Sequence, residues 1–119
     1  MKKWEKFWKE RERLNDLVLR NTDKVTKRFF SLDSQVYRDG AIPAKYRELM
    51  GLVASLVLRC DDCITYHMVQ AHRSGVSRDE VVEAMSIALI VGGSIVIPHL
   101  RRAYEIMLEL YGEDDGVDS

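Results

Sequence analysis

KYRELMGLVASLVLRCDDCITYH, Lys45 to His67, decides the fold. Up to Leu58 it is apolar on most sides after Leu49, with no strand-like alternation, which predicts a buried helix over Lys45–Leu58. From Cys60 or Asp61 the spacing predicts a second helix to Ser74, closed by Gly75. Only a short turn separates the two, so they run antiparallel, and residues of one helix can face residues of the other.

The same periodicity extends outward. Ser77 and Glu80 fit a capping box for a helix from Arg78 to about Val91. That helix carries AMSIALIV and is expected at the centre of the core. Gly92-Gly93 breaks it, and a last helix runs from about Ser94 to Tyr111, with Pro98 in its first turns. Upstream, Trp4, Phe7, Trp8, Leu14, Leu17 and Val18 form one helical stripe. A further helix is expected from a cap near Asn21 or Thr22 to Gly40, and Pro43 suits the first turn of the helix after it. The fold class is therefore all-α, a single-domain bundle of five to six helices. Residues 1–20 form an amphipathic helix for packing or oligomerisation, 21–111 the helical domain, and 112–119 an acidic tail expected to fray.

At 119 residues the chain makes one domain, and 46% hydrophobic with 31% charged residues is the balance of a soluble globular protein. A net charge of −1 supplies no basic field, which excludes nucleic acid and anionic membranes as general partners. Charges continue through Arg13 with no apolar stretch of the kind a secretory leader needs. The longest apolar run, Ala88 to Pro98, is about half a membrane span. The expected location is the cytoplasm, where structural disulfides are rare and a CxxC pair is catalytic, redox-active or metal-binding.

Both cysteines lie in RCDDCITYH, Arg59 to His67. At the start of a helix Cys60 and Cys63 are one turn apart, and His67 follows on the same face. The helix N-terminus stabilises a thiolate, and His67 can take its proton. Glu48, on the preceding helix, can return toward this face and shuttle protons. His72 lies about 140° round the helix from His67 and points away. His99 and His72 are lone histidines suited to surface or core positions, with His99 early enough in the last helix to line a pocket. Tyr66 is expected to point elsewhere and to pack. Zinc remains an alternative, with Cys60, Cys63 and His67 as three ligands and Glu48 as a fourth. An inert pair of core cysteines is another.

Glu48, then Cys60-x-x-Cys63-x-x-x-His67, resembles the signature of the alkyl hydroperoxidase D-like branch of the carboxymuconolactone decarboxylase family. DGAIPAKYREL (Asp39–Leu49), HRSGVSRDEVVEAMSIA and GGSIVIPHLRRAYE resemble its flanking segments, so the likeness covers roughly Asn21 to Leu110. The resemblance implies a thiol-dependent peroxidase or disulfide oxidoreductase, an antioxidant enzyme on an all-helical homotrimer or homohexamer. It implies Cys63 as the cysteine that attacks peroxide, Cys60 as its resolving partner, and His67 and Glu48 as the proton relay. No bound cofactor is implied; the reductant is an external thiol, such as a dithiol carrier of the lipoyl-protein or peroxiredoxin kind. The substrate would be a hydroperoxide or a disulfide. One departure stands out: some relatives place a histidine inside the CxxC, where this chain has Asp62 beside Asp61. Two carboxylates raise a neighbouring thiol's pKa, which favours slower exchange over fast peroxide reduction. The alternatives are the family's lactone decarboxylase chemistry, which does not call for a CxxC pair, and a non-enzymatic redox-sensing or zinc-binding oligomer.

Overall fold

The computed structural model describes residues 1–112 and is all-helical over them. Six α-helices follow in order: α1 (Lys3–Asn21), α2 (Lys24–Val36), α3 (Ala44–Val57), α4 (Asp61–Arg73), α5 (Arg78–Gly92) and α6 (Ile97–Tyr111). A single 3₁₀ turn, Ser94–Val96, leads into α6. Residues 113–119 of the acidic tail lie outside the described residues.

The helix ends follow from local chemistry. Ser77 Oγ accepts the Glu80 N–H at 3.1 Å while the Glu80 carboxylate accepts the Ser77 N–H at 2.8 Å, a reciprocal capping box. α3 and α4 both close in the paired-carbonyl motif that ends many helices. In α4 the left-handed residue is Gly75, with the Val76 N–H on Ala71 O and the Gly75 N–H on His72 O. In α3 it is Arg59, at φ 60°, with the Cys60 N–H on Ser55 O and the Arg59 N–H on Leu56 O. A side chain in that conformation costs about 1–2 kcal/mol, and here it aims the chain from α3 straight into α4.

α2 ends at Val36, four residues before the glycine expected to close it. Pro43 disfavours a helical Ile42, and the segment 37–43 is stitched down instead. Arg47 donates to Ile42 O at 2.8 Å and to Val36 O at 2.7 Å, and Asp39 accepts the Ala44 N–H at 2.7 Å.

The core lies where α3, α4, α5 and α6 converge. Leu52 and Leu56, Ile64 and Met68, Val81 and Met85, and Ala103 and Met107 interlock there with almost no exposure. The expectation that α5 sits at the core's centre needs correction. Val81, Ala84, Met85 and Ala88 are buried, but Ile87, Ile90 and Val91 are exposed on its other side. The all-round apolar character of α5 thus serves one buried face and one open one. Ile87 and Val91 of that open face and the outer residues of α3, among them Met50, Val53 and Val57, line an apolar groove.

α1 docks through its first half. The Glu109 carboxylate of α6 accepts the backbone N–H groups of Lys3 (3.1 Å) and Trp4 (3.0 Å), satisfying two of the unpaired donors of a helix start. Trp4 packs against the core. Its second half carries Leu14, Leu17 and Val18 exposed. α2 buries no residue, and Val25, Phe29, Leu32 and Val36 form an exposed stripe along it.

Candidate active site

Cys60 occupies two roles at once: it ends the turn out of α3 and caps α4. Its Sγ accepts the Cys63 N–H at 3.2 Å, and the two cysteines are joined as a disulfide across the first turn of α4. Cys63 is exposed and Cys60 half-buried. One turn below Cys63, His67 is buried with 7% of its surface exposed, and Glu48 of α3 with 3%. His67 Nδ1 lies 3.0 Å from Glu48 Oε1, so the helix pair does bring this acid to this base. The other ring nitrogen, Nε2, lies 3.4 Å from the Tyr37 hydroxyl. Burial, with the nearby Asp33 and Glu48 charges, pushes the Tyr37 pKa up, so the hydroxyl keeps its proton and donates. Both ring nitrogens of His67 are satisfied when Nδ1–H donates to Glu48 Oε1 and Nε2 accepts from Tyr37.

Gly51 makes this approach sterically feasible. It stands one turn after Glu48 on α3, and a Cβ there would lie 2.7–2.9 Å from three atoms of the His67 ring. A glycine inside a helix costs about 1 kcal/mol relative to alanine; here the vacant side-chain volume holds the imidazole.

A cleft of about 510 Å³ opens over the disulfide, lined by Cys63, His67, Tyr66 and Asp62 from α4 and by Phe7, Arg11 and Leu14 from α1. Tyr66 corrects the expectation that it points away. Its ring packs edge-on to His67 at 5.0 Å and stacks on Trp8 of α1 at 5.7 Å with 2° between the planes. The guanidinium of Arg11 lies 4.1 Å above Tyr66, and that of Arg73 lies 4.4 Å from Trp8. The N-terminal helix therefore forms one wall of the cleft. His72 is turned away, edge-on to Tyr111 at 4.6 Å. His99 does not reach the cleft; its Nδ1 meets Asp61 at 2.8 Å. Among the described residues no group of three or more His, Cys, Asp or Glu side chains is placed to hold a metal ion. No helix of the described chain is long and apolar enough to cross a membrane.

Sequence reasoning named Cys60, Cys63, His67 and Glu48, and the fold brings these four residues together. Tyr37, Gly51 and the α1 wall escaped it. For Gly51 a signal existed, since an isolated glycine in an otherwise helical run marks a close approach. Tyr37 lies in an irregular segment 30 positions before His67, and nothing local marks it.

Comparison with known proteins identifies the family and the fold. The family model of the carboxymuconolactone decarboxylase family matches residues 23–105. Two crystal structures of a Thermotoga maritima protein superpose with TM-scores of 0.86 and 0.85 at 59% and 57% identity, each covering 88% of this chain and 92% and 89% of theirs. The second is described as a carboxymuconolactone decarboxylase family protein with, as a possibility, a part in antioxidative response. A Legionella pneumophila family member shares the fold, with a TM-score of 0.83 at 22% identity over 93% of this chain and 98% of its own. The "uncharacterized protein 4 in cox locus" of Paracoccus denitrificans is 26% identical over 71% of this chain and 76% of its own length.

Proposed function

Since the chain belongs to the carboxymuconolactone decarboxylase family, we propose that it is a cysteine-based oxidoreductase of the alkyl hydroperoxidase D-like branch, reducing hydroperoxides or exchanging disulfides through Cys63 and Cys60. One observation carries this reading. A CxxC disulfide at a helix N-terminus, its Cys63 exposed, shares a cleft through that residue with an imidazole of which one nitrogen is held by a buried carboxylate.

The roles follow from position. Reduction by an external dithiol opens the Cys60–Cys63 bond, and the dithiol leaves as its own disulfide. Cys63, whose residue is exposed, gives its proton to His67 Nε2 once the Tyr37 hydroxyl turns its hydrogen away from that nitrogen, and Glu48 on Nδ1 steadies the imidazolium. The Cys63 thiolate attacks the terminal oxygen of a hydroperoxide. The O–O bond breaks, an alcohol leaves with the returned proton, and Cys63 becomes a sulfenic acid. Cys60 then attacks Cys63 Sγ, water departs, and the disulfide is restored. The N–H of Cys63 already points at Cys60 Sγ, which favours the thiolate form needed for that second attack. With a disulfide as substrate the same two sulfurs act through a mixed disulfide.

The expected reductant is a dithiol carrier of the lipoyl-protein or peroxiredoxin kind, the expected location the cytoplasm, and the expected assembly a homotrimer or homohexamer. Two surfaces support assembly: the exposed α2 stripe and the apolar groove between α3 and α5.

The test is peroxide consumption with dithiothreitol as reductant. Cys63→Ser abolishes turnover. Cys60→Ser stops after one turnover, leaving a sulfenic acid or mixed disulfide on Cys63 that mass spectrometry detects. Full activity in Cys63→Ser refutes the proposal.

A further inference from the structure

The two aspartates between the cysteines are treated differently by the fold. Asp62 is exposed at the cleft over the disulfide. Asp61 is held from α6: its Oδ1 meets His99 Nδ1 at 2.8 Å, and its Oδ2 accepts from Arg102 Nε at 2.9 Å. Arg102 Nη2 also lies 3.3 Å from His99 Nδ1, so the three groups form one cluster. The side chain of His99 is 19% exposed, that of Asp61 44% and that of Arg102 56%. Lys3 of α1 and Glu105 of α6 border the same depression and pair with each other at 2.7 Å. The charge directly facing Asp61 is therefore that of Arg102, with His99 adding to it when protonated.

We propose that Arg102 and His99 form an electrostatic clamp that neutralises Asp61 and thereby sets the reduction potential of the Cys60–Cys63 couple. Asp61 follows Cys60 directly and occupies the first turn of α4, the turn whose free N–H groups stabilise a thiolate. An unpaired carboxylate there opposes that effect. Paired with a guanidinium, which stays charged at any working pH, it contributes little net field to the sulfurs. The conflict between two aspartates and a helix terminus is thus halved by a residue 41 positions away.

The consequence is a direction. Reduction of the disulfide takes two electrons from an external dithiol and yields two thiols, either of which can lose its proton to give a thiolate. Whatever stabilises that thiolate favours the reduced form and raises the potential. The clamp makes the couple easier to reduce. Arg102 and His99 are positioning residues here, since they act through Asp61. The inference requires a working dithiol, as the proposed function does, but not that peroxide is its substrate.

The full-length protein, equilibrated at pH 7 with mixtures of reduced and oxidised dithiothreitol, reports the couple directly through alkylation of free thiols. In Arg102→Gln the balance is expected to move toward the disulfide by about tenfold, or about 30 mV for a two-electron couple. The pH midpoint of thiol alkylation moves up with it. Arg102→Lys restores most of both. Asp61→Asn moves both the other way, and adding Arg102→Gln to Asp61→Asn changes neither further. The clamp is overturned if Arg102→Gln leaves potential and midpoint at wild-type values, or shifts them equally with and without Asp61. The second result would make Arg102 a strut between α4 and α6. These readouts contain no peroxide: the predicted shifts in a protein without peroxidase activity would refute only the peroxidase reading, and flat potentials in an active peroxidase would refute only the clamp.

Discussion

Replacing Gly51 with alanine tests whether the vacant volume on α3 is what holds the base. The added methyl carbon would lie 2.7 Å from His67 Cε1, 2.8 Å from Nε2 and 2.9 Å from Nδ1. Ordinary carbon contacts begin near ~3.5 Å, so the ring must retreat by roughly 0.6 Å or more. It has little freedom to do so, with Glu48 on one nitrogen at 3.0 Å and Tyr37 on the other at 3.4 Å. Overpacking costs about 1–3 kcal/mol. Loss of a buried hydrogen bond to a carboxylate adds about 1.5–3 kcal/mol. The better helix propensity of alanine returns about 1 kcal/mol. The expected net loss is about 1.5–5 kcal/mol, a large part of the ~5–15 kcal/mol that holds a typical domain together. Urea denaturation at fixed protein concentration measures it, and thiol alkylation of the reduced protein reports the base, with a slowing of about tenfold or more at neutral pH. Gly92→Ala is the control. Its methyl meets Val96 and Val57, apolar side chains of the core region, so stability falls while thiol reactivity holds. Wild-type stability and alkylation in Gly51→Ala, or equal loss of reactivity in both variants, would refute the argument.

Glu48→Gln keeps an acceptor for His67 Nδ1 and the shape of the pocket but removes the charge that steadies an imidazolium; peroxide turnover should fall at least tenfold while the fold, followed by circular dichroism, is retained. Phe29→Asp places a charge on a residue that is 69% exposed in the single chain; sedimentation should show a smaller species with unchanged helicity, and an unchanged mass would exclude the α2 stripe from assembly. Tyr111 donates to Val76 O at 2.7 Å, and burial raises its pKa to about 12. The unfolded tyrosine ionises near ~10. Its contribution is therefore fully present below that pH and is lost as pH rises through about 12. Tyr111→Phe should destabilise the protein at pH 8 by about 1 kcal/mol and flatten the alkaline fall, as measured by urea unfolding against pH.

What could be read from the chain alone was whatever is settled within a few residues. The capping box at Ser77 and Glu80, the left-handed Gly75, and the phase that groups Cys60, Cys63 and His67 while excluding His72 all depend on local spacing. Glu48 was reachable because α3 and α4 form a hairpin with a very short turn, which leaves few registers open. Tyr37, Arg102 and the Trp8 wall reach the site from remote parts of the chain, and their contacts depend on packing that no periodicity encodes. α5 shows the complementary limit. Its apolar residues foretold burial, yet hydropathy does not say whether the cover comes from the same chain, and Ile87, Ile90 and Val91 stay exposed among the described residues. Arg59 is a third kind of case: the turn it makes is common, but glycine is the residue that announces it.

The loose attachment of α2 bears on how the site behaves in time. A helix with no fully buried residue can open at little free-energy cost, independently of the global unfolding of the core. Tyr37 follows directly after α2, so each opening event can withdraw the hydroxyl from His67 while Glu48, on the tightly packed α3, keeps its hold. The two partners of one imidazole thus belong to units of different local stability. In the dissociated chain amide exchange should be fast along α2 and slow along α3 and α4, and assembly over the α2 stripe would slow it and lengthen the time His67 spends with both of its nitrogens engaged.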